Sequence, residues 1–406
     1  MKNSLALSNR SYAILNGFIL NKGSLVFMRL IIISLILSFF SCAQQTDKTV
    51  RPGAYQMDDY LSLLENKNVG VTVNHTSIIE DTHLTDTLLS RGIKLKKVFT
   101  PEHGFSGRIS DGVEIEYEEE KETFELISLY GKNKKPEPQQ LEGLDIMVFD
   151  IQDVGARFYT YISTMHYVME ACAENNIPVI ILDRPNPNGS YIDGPVLDTA
   201  YSSFVGMHPI PIVYGLTIGE LARMINGEGW LKNGIKCDLS VIEIDNWNHQ
   251  TSYSLPVKPS PNLPNDLSIT LYPSLCLFEG TTVSVGRGTK SPFLQIGHPT
   301  YSDTTHSFTP VSMEGAKWPP YEQVTCYGKS FANTEAKYEF TLLHLIKMYN
   351  SLDDEDFFKP YFKRLVGNDT LSKQIQSGMS EKEIKASWED DLVAYKSKRQ
   401  QYLIYD

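Results

Sequence analysis

The hydrophobic positions between residues 69 and 244 alternate between short runs of β-branched and aliphatic residues and longer stretches with a helical period. Short apolar runs bounded by turn-forming residues are typical of strands. Two of the runs have no polar face, which indicates strands covered on both sides, as in a parallel sheet. The predicted strands are residues 69–73 (VGVTV), 95–99 (LKKVF), 146–149 (IMVF), 179–182 (VIIL) and 239–244 (LSVIEI).

Two segments among these strands have the spacing of helices. Residues 159–175 (YTYISTMHYVMEACAEN) are long and periodic enough for a helix that crosses from one strand to the next. Residues 217–229 begin with Thr217 and Glu220 at the spacing of a capping box and end in glycine. Strand, helix and strand in succession predict right-handed βαβ units, so the expected fold class is α/β with a Rossmann-like parallel sheet.

The composition changes near residue 250. Residues 255–300 are rich in Pro, Gly, Asn and Ser, and the remainder combines short strands with helices near residues 342–351 and 387–403. We therefore expect a Rossmann-like domain over residues 53–250 and a smaller α+β domain over residues 251–406.

Residues 1–42 have the pattern of an export leader. The apolar segment 30–40 (LIIISLILSFF) is too short to span a bilayer as a helix. A basic residue, this segment and then Cys42 resemble a bacterial lipoprotein signal, in which the cysteine is acylated. A buried helix or an ordinary cleaved signal is the alternative.

The leader has consequences for the mature chain. We expect translation to start at Met28, so that residues 1–27 are an extension, and residues 43–52 to form a flexible tether. The expected location is outside the cytoplasm, as a periplasmic or outer-membrane lipoprotein that meets the membrane only through its lipid anchor.

The charge of the chain excludes one class of partner. Its 406 residues carry a net charge of −12, and without the four basic residues of the leader the remainder reaches −16. Such a surface repels phosphate backbones, so nucleic-acid binding is not expected. The remaining four cysteines show neither C-x-x-C spacing nor clustering with histidines, so we predict no metal site.

Polar side chains follow four successive predicted strands, at the point where each strand ends. Ligands of open α/β sheets bind beyond the carboxyl ends of the strands, so these side chains should meet at one rim. The candidates are Asn74, His75, Glu102, His103, Asp150, Asp153, Arg157, Asp183 and Asn186.

Most of these residues also have a purely structural interpretation. Asp150 and Asp183 are suited to capping a helix or fixing a turn. Asp153 and Arg157 are four positions apart at a predicted helix start and could pair with each other. Glu102 is harder to explain in this way, because it stands between a proline and His-Gly on a constrained tip.

A second group of candidates lies beyond the domain transition. The segment PSPNLPND at residues 259–266 forms stiff loops that present amide side chains such as Asn262. The segment FEGTTVSVGRGTK at residues 278–290 contributes Glu279 and Arg287. The alternative for Arg287 is an ordinary arginine exposed at a tight turn.

The absence of several sequence motifs narrows the chemistry. The chain has no G-x-S-x-G, S-x-x-K, Walker A or H-E-x-x-H motif, and G-R-G at residues 286–288 is not a dinucleotide fingerprint, so no cofactor is predicted. The candidates that remain are carboxylates that are not spaced as metal ligands, in a chain without the motif of an activated serine or cysteine. This combination suits glycoside hydrolysis.

The same residues resemble a known family. The segments NHTS, VFTPEHGFSG, FDIQDVGARFYTYISTM, LDRPNPNG, PIPIVYGLTIGELA, SPNLP and LFEGTTVSVGRGT are similar to the former DUF1343 family, whose characterised members are exo-β-N-acetylmuramidases. The resemblance runs from about residue 69 to residue 406 and departs at Thr282, where asparagine is expected in many members.

The resemblance implies a Rossmann-like N-terminal domain that holds the active site and a C-terminal domain that helps to form the cleft. It implies release of N-acetylmuramic acid from the non-reducing ends of peptidoglycan fragments, as in cell-wall recycling. The proposed catalytic glutamate of the family lies in the PEHG motif, which places it on Glu102.

The combined hypothesis is a metal-independent exo-muramidase in which Glu102 protonates the leaving oxygen and Asp153 or Glu279 is the second carboxylate. Arg157 or Arg287 would bind the lactyl carboxylate that distinguishes muramic acid from glucosamine. The sugar would be oriented by His75, His103, Asn186 and Asn262. The alternatives are a hydrolase of another cell-wall linkage and a non-catalytic lipoprotein that binds muropeptides.

Overall fold

The computed structural model describes residues 49–107 and 124–405. Within these ranges, six parallel strands form the main sheet: β1 (Asn68–Val73), β4 (Lys94–Thr100), β5 (Glu125–Ser128), β6 (Ile146–Asp150), β7 (Val179–Leu182) and β8 (Leu239–Ile242). Their order across the sheet is β5-β4-β1-β6-β7-β8. A hairpin of β2 (Ile78–Ile79) and β3 (Thr82–His83) stands apart from it.

The main sheet confirms the predicted fold class. Without the hairpin, the strand order becomes 3-2-1-4-5-6, which is the order of a Rossmann-type sheet. All five predicted strands are present, and β6 and β7 are buried along their whole length, as their continuous apolar runs indicate. The sequence analysis missed β5, an edge strand of four residues with alternating exposure.

Helices connect these strands. In chain order they are α1 (Met57–Leu64), α2 (Leu84–Ser90), α3 (Pro138–Leu141), α4 (Tyr161–Glu174) and α5 (Ile218–Gly227). The helix predicted over residues 159–175 is present as α4. The predicted capping box of α5 forms, because the Thr217 hydroxyl accepts from the Glu220 amide while the Glu220 side chain accepts from the Thr217 amide.

The C-terminal region is smaller and combines helices with an antiparallel sheet. Its strands β9 (Gln295–His298), β10 (Ser307–Phe308) and β11 (Cys326–Ser330) pair in the order β10-β11-β9. Its helices are α6 (Asp266–Leu275), α7 (Leu343–Ser351), α8 (Phe362–Val366), α9 (Thr370–Gln376), α10 (Glu381–Ala386) and α11 (Glu389–Arg399).

The two regions share one hydrophobic core. Side chains of the main sheet and α4, such as Phe149 and Met165, belong to the same buried cluster as Phe278, Phe293 and Tyr395 of the C-terminal region. A second buried cluster covers the other face of the sheet and includes Val71 and Leu88. The boundary placed at residue 250 stays a prediction, but the shared core fixes the loops of both regions against each other.

The proposed leader, with Cys42, and most of the tether lie outside the described residues. Among the residues that are described, no helix has the length and apolar character needed to cross a membrane. The described cysteines are buried free thiols: Cys172, Cys237, Cys276 and Cys326.

Candidate active site

A cavity of about 660 Å³ lies where the loops after β4, β5 and β6 meet the C-terminal region. Its volume is typical of pockets that hold one small ligand, and its position follows the rule for open α/β sheets. The acidic and basic residues that line it are Glu102, His103, Lys134, Glu279, Arg287 and Arg364.

Glu102 lies on a tight turn directly after β4. The amide of Gly104 donates to the carbonyl of Pro101 at 3.0 Å, and His103 and Gly104 both have positive φ, +70° and +71°. Thr160, which precedes α4, donates its hydroxyl to Glu102 Oε2 at 2.8 Å. The turn and the hydroxyl fix the carboxylate at the cavity wall, as expected from the constrained PEHG tip.

Glu279 reaches the cavity from the C-terminal region, on the short 3-10 helix Cys276–Gly280. Arg287 Nε donates to Glu279 Oε1, so these two side chains form a salt bridge. The guanidinium of Arg287 also lies 5.3 Å from the centroid of the Phe293 ring. Arg287 is therefore a partly buried member of the site rather than an arginine exposed at a turn.

Tyr361 links the two carboxylates electrostatically. It lines the cavity with 39% of its side chain exposed. Partial burial raises its pKa, and the negative charges of Glu279 and Glu102 raise it further. The hydroxyl is therefore protonated at neutral pH and available as a donor, and Glu102 and Glu279 act on one site.

Asn262 also reaches the cavity, on the proline-rich loop predicted to form its wall. Its Nδ2 donates to the carbonyl of Gly315 at 2.8 Å. The hydroxyls of Tyr159 and Tyr161 donate to the carbonyl of Pro259, at 2.8 and 3.3 Å, and so fasten this loop to the start of α4. The carboxamide oxygen of Asn262 is left as an acceptor.

Comparison with known proteins identifies the family. The model of the N-terminal domain of exo-β-N-acetylmuramidase NamZ matches residues 69–267, and that of its C-terminal domain matches residues 270–405. The chain belongs to the NamZ family.

Similar proteins agree with this assignment to NamZ. The peptidoglycan β-N-acetylmuramidase NamZ of Bacillus subtilis (strain 168) is 40% identical over 374 residues, which are 86% of this chain and 89% of the relative. Two crystal structures of DUF1343 family proteins from Bacteroides fragilis each cover 88% of this chain and 99% of their own. They are 45% and 26% identical, with TM-scores of 0.82 and 0.75.

Several candidates from the sequence lie outside the cavity of this NamZ family member. Asp150 is fully buried in a salt bridge with Arg184, at 2.5 Å from Nε and 2.9 Å from Nη2. Asp183 is also fully buried and accepts from the hydroxyls of Thr217 (2.6 Å) and Tyr405 (2.8 Å). Burial raises the pKa of Asp183 to about 7. Both carboxylates hold strand ends and loops together, and neither lines the cavity.

Asp153 lies behind the cavity. It accepts from the amide of Gly155 at 2.7 Å and from the hydroxyl of Tyr214, and it does not pair with Arg157. Burial raises its pKa to about 7. Asp153 is only 4% exposed and does not line the cavity, whereas Glu279 does.

Asn74, His75 and Asn186 are likewise used in the fold. Asn74 Oδ1 accepts from the amide two residues later at 2.9 Å. His75 Nε2 lies 2.7 Å from the carbonyl of Lys258, and Asn186 Nδ2 donates to the carbonyl of Leu216 at 2.8 Å. Their side chains fix turns and loop contacts and do not line the cavity.

Arg157, considered from the sequence as an arginine that binds the ligand, does not line the cavity. Its side chain is fully buried, and its terminal nitrogens donate to the carbonyls of Pro195, Ile210, Leu365 and Val366 at 2.6–3.1 Å. The guanidinium thereby joins two loops of the N-terminal region to α8 of the C-terminal region.

Sequence reasoning missed several residues of the site, among them Thr160, Lys134, Tyr361 and Arg364. Lys134 follows the unpredicted strand β5, and Tyr361 and Arg364 lie at the unpredicted helix α8, so no predicted element pointed to them. Thr282, where the chain departs from the family pattern, donates its hydroxyl to Asp354 at 2.6 Å and does not line the cavity. Over the described ranges, no group of three or more His, Cys, Asp or Glu side chains could hold a metal ion.

Proposed function

We propose that the protein is an exo-acting glycoside hydrolase that releases N-acetylmuramic acid from the non-reducing ends of peptidoglycan fragments. The observation that carries the proposal is the presence of Glu102 and Glu279 in one cavity, in a chain 40% identical to a peptidoglycan β-N-acetylmuramidase. Paired carboxylates are the usual means of glycosidic bond cleavage.

The two carboxylates have different surroundings and therefore different roles. Glu102 has one oxygen fixed by Thr160, and its other oxygen can deliver a proton to the leaving glycosidic oxygen. Glu279 is paired with Arg287, so it is suited to stabilise the positive charge that develops on the sugar, or to direct water to it.

The rest of the cavity suits a sugar. Tyr272 makes edge contacts with Phe158, Tyr159 and Phe293, at centroid distances of 5.4, 5.9 and 5.0 Å. These closely packed rings make one side of the cavity apolar, which suits the face of a pyranose ring. Asn262 and His103 add polar groups for its hydroxyl and acetamido substituents.

The decisive experiment compares two chromogenic substrates, para-nitrophenyl β-N-acetylmuramide and the corresponding N-acetylglucosaminide. We expect release from the muramide, and we expect Glu102→Gln to abolish it while leaving the circular dichroism spectrum unchanged. Glu335→Gln, at an exposed position away from the cavity, is the matched control and should retain activity. Activity retained by Glu102→Gln would remove this residue from the mechanism. Binding of muropeptides without any product would support the non-catalytic alternative.

The proposal includes export of the protein and acylation of Cys42. It is supported by the leader, in which a basic residue is followed by an apolar segment and then by the cysteine. The anchor would hold the enzyme beside cell-wall fragments outside the cytoplasm. Labelling with radioactive palmitate should mark the wild-type protein and the control Ser41→Ala, but not Cys42→Ser. Equal labelling of Cys42→Ser, or recovery of wild-type protein in the soluble fraction only, would contradict the anchor.

A further inference from the structure

The cavity carries an excess of positive charge although the chain has a net charge of −12. Its lining contains Glu102 and Glu279 against Lys134, Arg287 and Arg364. Arg287 is paired with Glu279, so the remaining two cations are Lys134 and Arg364.

Among the described residues, Lys134 has no carboxylate partner. Its Nζ lies 4.6 Å from the centroid of the Phe204 ring, and no carboxylate of the described residues is within ion-pair distance. The neighbouring Lys135 differs, because it pairs with Glu170 and Glu174 at 2.7 Å each. Lys135 therefore anchors the loop, and Lys134 is presented to the cavity.

Arg364, like Lys134, lines the cavity from a fixed stretch of backbone. It lies on α8, three residues after Tyr361, whose pKa responds to both cavity glutamates. The next two carbonyls of the helix, at Leu365 and Val366, are held by Arg157 at 3.1 and 2.6 Å. Within the described part of the chain, the Arg364 side chain has no carboxylate partner, although its backbone is fixed.

One loop connects the two cations. Residues 203–205 line the cavity, and Phe204 lies beneath Lys134. At the end of the loop, a Cβ added to Gly206 would lie 3.8 Å from the carbonyl oxygen of Arg364. The side chain of Lys134 and the backbone of Arg364 thus flank the same short segment, and both residues line the cavity.

We propose that Lys134 and Arg364 bind the lactyl carboxylate of N-acetylmuramic acid and so determine its selection over N-acetylglucosamine. This inference rests on the proposed function. Two cations that line the cavity without a carboxylate partner among the described residues favour a ligand with an anionic substituent, because its carboxylate can accept charge-assisted hydrogen bonds that a neutral sugar cannot. Arg157 and Arg287, the arginines considered from the sequence, are both used in contacts within the protein.

Binding is measured by calorimetry in the Glu102→Gln protein, which separates recognition from turnover. The ligands are N-acetylmuramic acid, its lactyl methyl amide and N-acetylglucosamine. We expect the acid to bind more tightly than the amide, and the double change Lys134→Met and Arg364→Gln to weaken binding of the acid about 10- to 100-fold with little effect on the amide. Lys363→Gln, on the same helix but outside the cavity, should leave all three affinities unchanged. The conservative pair Lys134→Arg and Arg364→Lys should restore most of the preference.

A second experiment measures turnover of two chromogenic muramides. One has a free lactyl carboxylate, and the other carries a stem peptide on its lactyl group. Selective loss with the free acid supports the assignment, and loss only with the peptide-bearing substrate overturns it in favour of a peptide carboxylate. An unchanged preference for acid over amide in the folded double variant overturns it as well. If the wild-type protein binds the acid selectively but cleaves neither substrate, the proposed function fails while the binding result still decides this inference.

Discussion

Replacing Arg157 by methionine should destabilise the protein strongly, because the guanidinium satisfies four buried carbonyls in both regions of the chain. Burial lowers the pKa of Arg157 to about 9, so the group is still charged at neutral pH and its hydrogen bonds are charge-assisted. The carbonyl of Ile210 also accepts from the amide of Leu197. Within the described residues, the other three carbonyls, at Pro195, Leu365 and Val366, have no second donor.

The size of the effect follows from these three groups. A buried acceptor left without a partner costs about 1–2 kcal/mol, so Arg157→Met should lower the free energy of unfolding by about 3–6 kcal/mol. That is a large part of the roughly 5–15 kcal/mol that stabilises a typical protein. The methionine fills part of the space of the arginine stem, so the loss reports mainly on the charged group.

Urea unfolding followed by circular dichroism measures this change, with Arg223→Met as the control at an exposed helical position. We expect the control to stay within about 0.5 kcal/mol of wild type. An Arg157→Met protein of wild-type stability would refute the reasoning. If that stable variant also lost its preference for muramic acid, the ligand-binding role considered from the sequence would be restored.

Three further outcomes are expected. Thr160→Val should lower kcat about fivefold to tenfold with a smaller change in KM, because it removes the hydroxyl that orients Glu102. Steady-state kinetics with the muramide measures both constants, and an unchanged kcat would contradict the expectation. Burial raises the folded pKa of Asp153 to about 7, above its ordinary value of 3.8, so the contribution of this group to stability is complete below about pH 4 and is lost as the pH rises through 7. Urea titrations should therefore show a free energy of unfolding that is lower at pH 8 than at pH 5 by up to about 3 kcal/mol, and Asp153→Asn should reduce that difference. Gly155→Ala should lower the free energy of unfolding by about 2–4 kcal/mol, because φ at Gly155 is +77° and the new Cβ would lie 2.1 Å from Asn186 Oδ1. Thermal unfolding should show the loss as a lower Tm, and an unchanged Tm would show that the loop relaxes freely.

The sequence predicts the sheet well because its signals are local. Continuous apolar runs identify β6 and β7, and the Thr217–Glu220 capping box identifies the start of α5. The strand β5 lacks such a run, since within the described ranges it lies at the edge of the sheet and pairs only with β4. Its absence from the prediction also concealed Lys134, which follows it.

The candidate site was only partly predictable for a different reason. The sequence shows which polar residues follow strands, but it does not show which of them pair inside the protein. Asp150 is neutralised by Arg184, and Asp183 accepts hydrogen bonds from donors as distant as residue 405. Glu102, in contrast, lines the cavity with one oxygen bound to Thr160. Such pairings depend on contacts across 34 to 222 positions of the chain, beyond the reach of local patterns.

The contact between Tyr405 and Asp183 has a consequence for biosynthesis. The central strands leave the ribosome more than 200 residues before the tyrosine that completes the hydrogen bonds of the buried Asp183. Until then the carboxylate lacks a donor that its buried position requires, so the nascent sheet is less stable than the finished one. For a chain exported as proposed, this delay favours secretion, because a translocation channel accepts the polypeptide before it has folded.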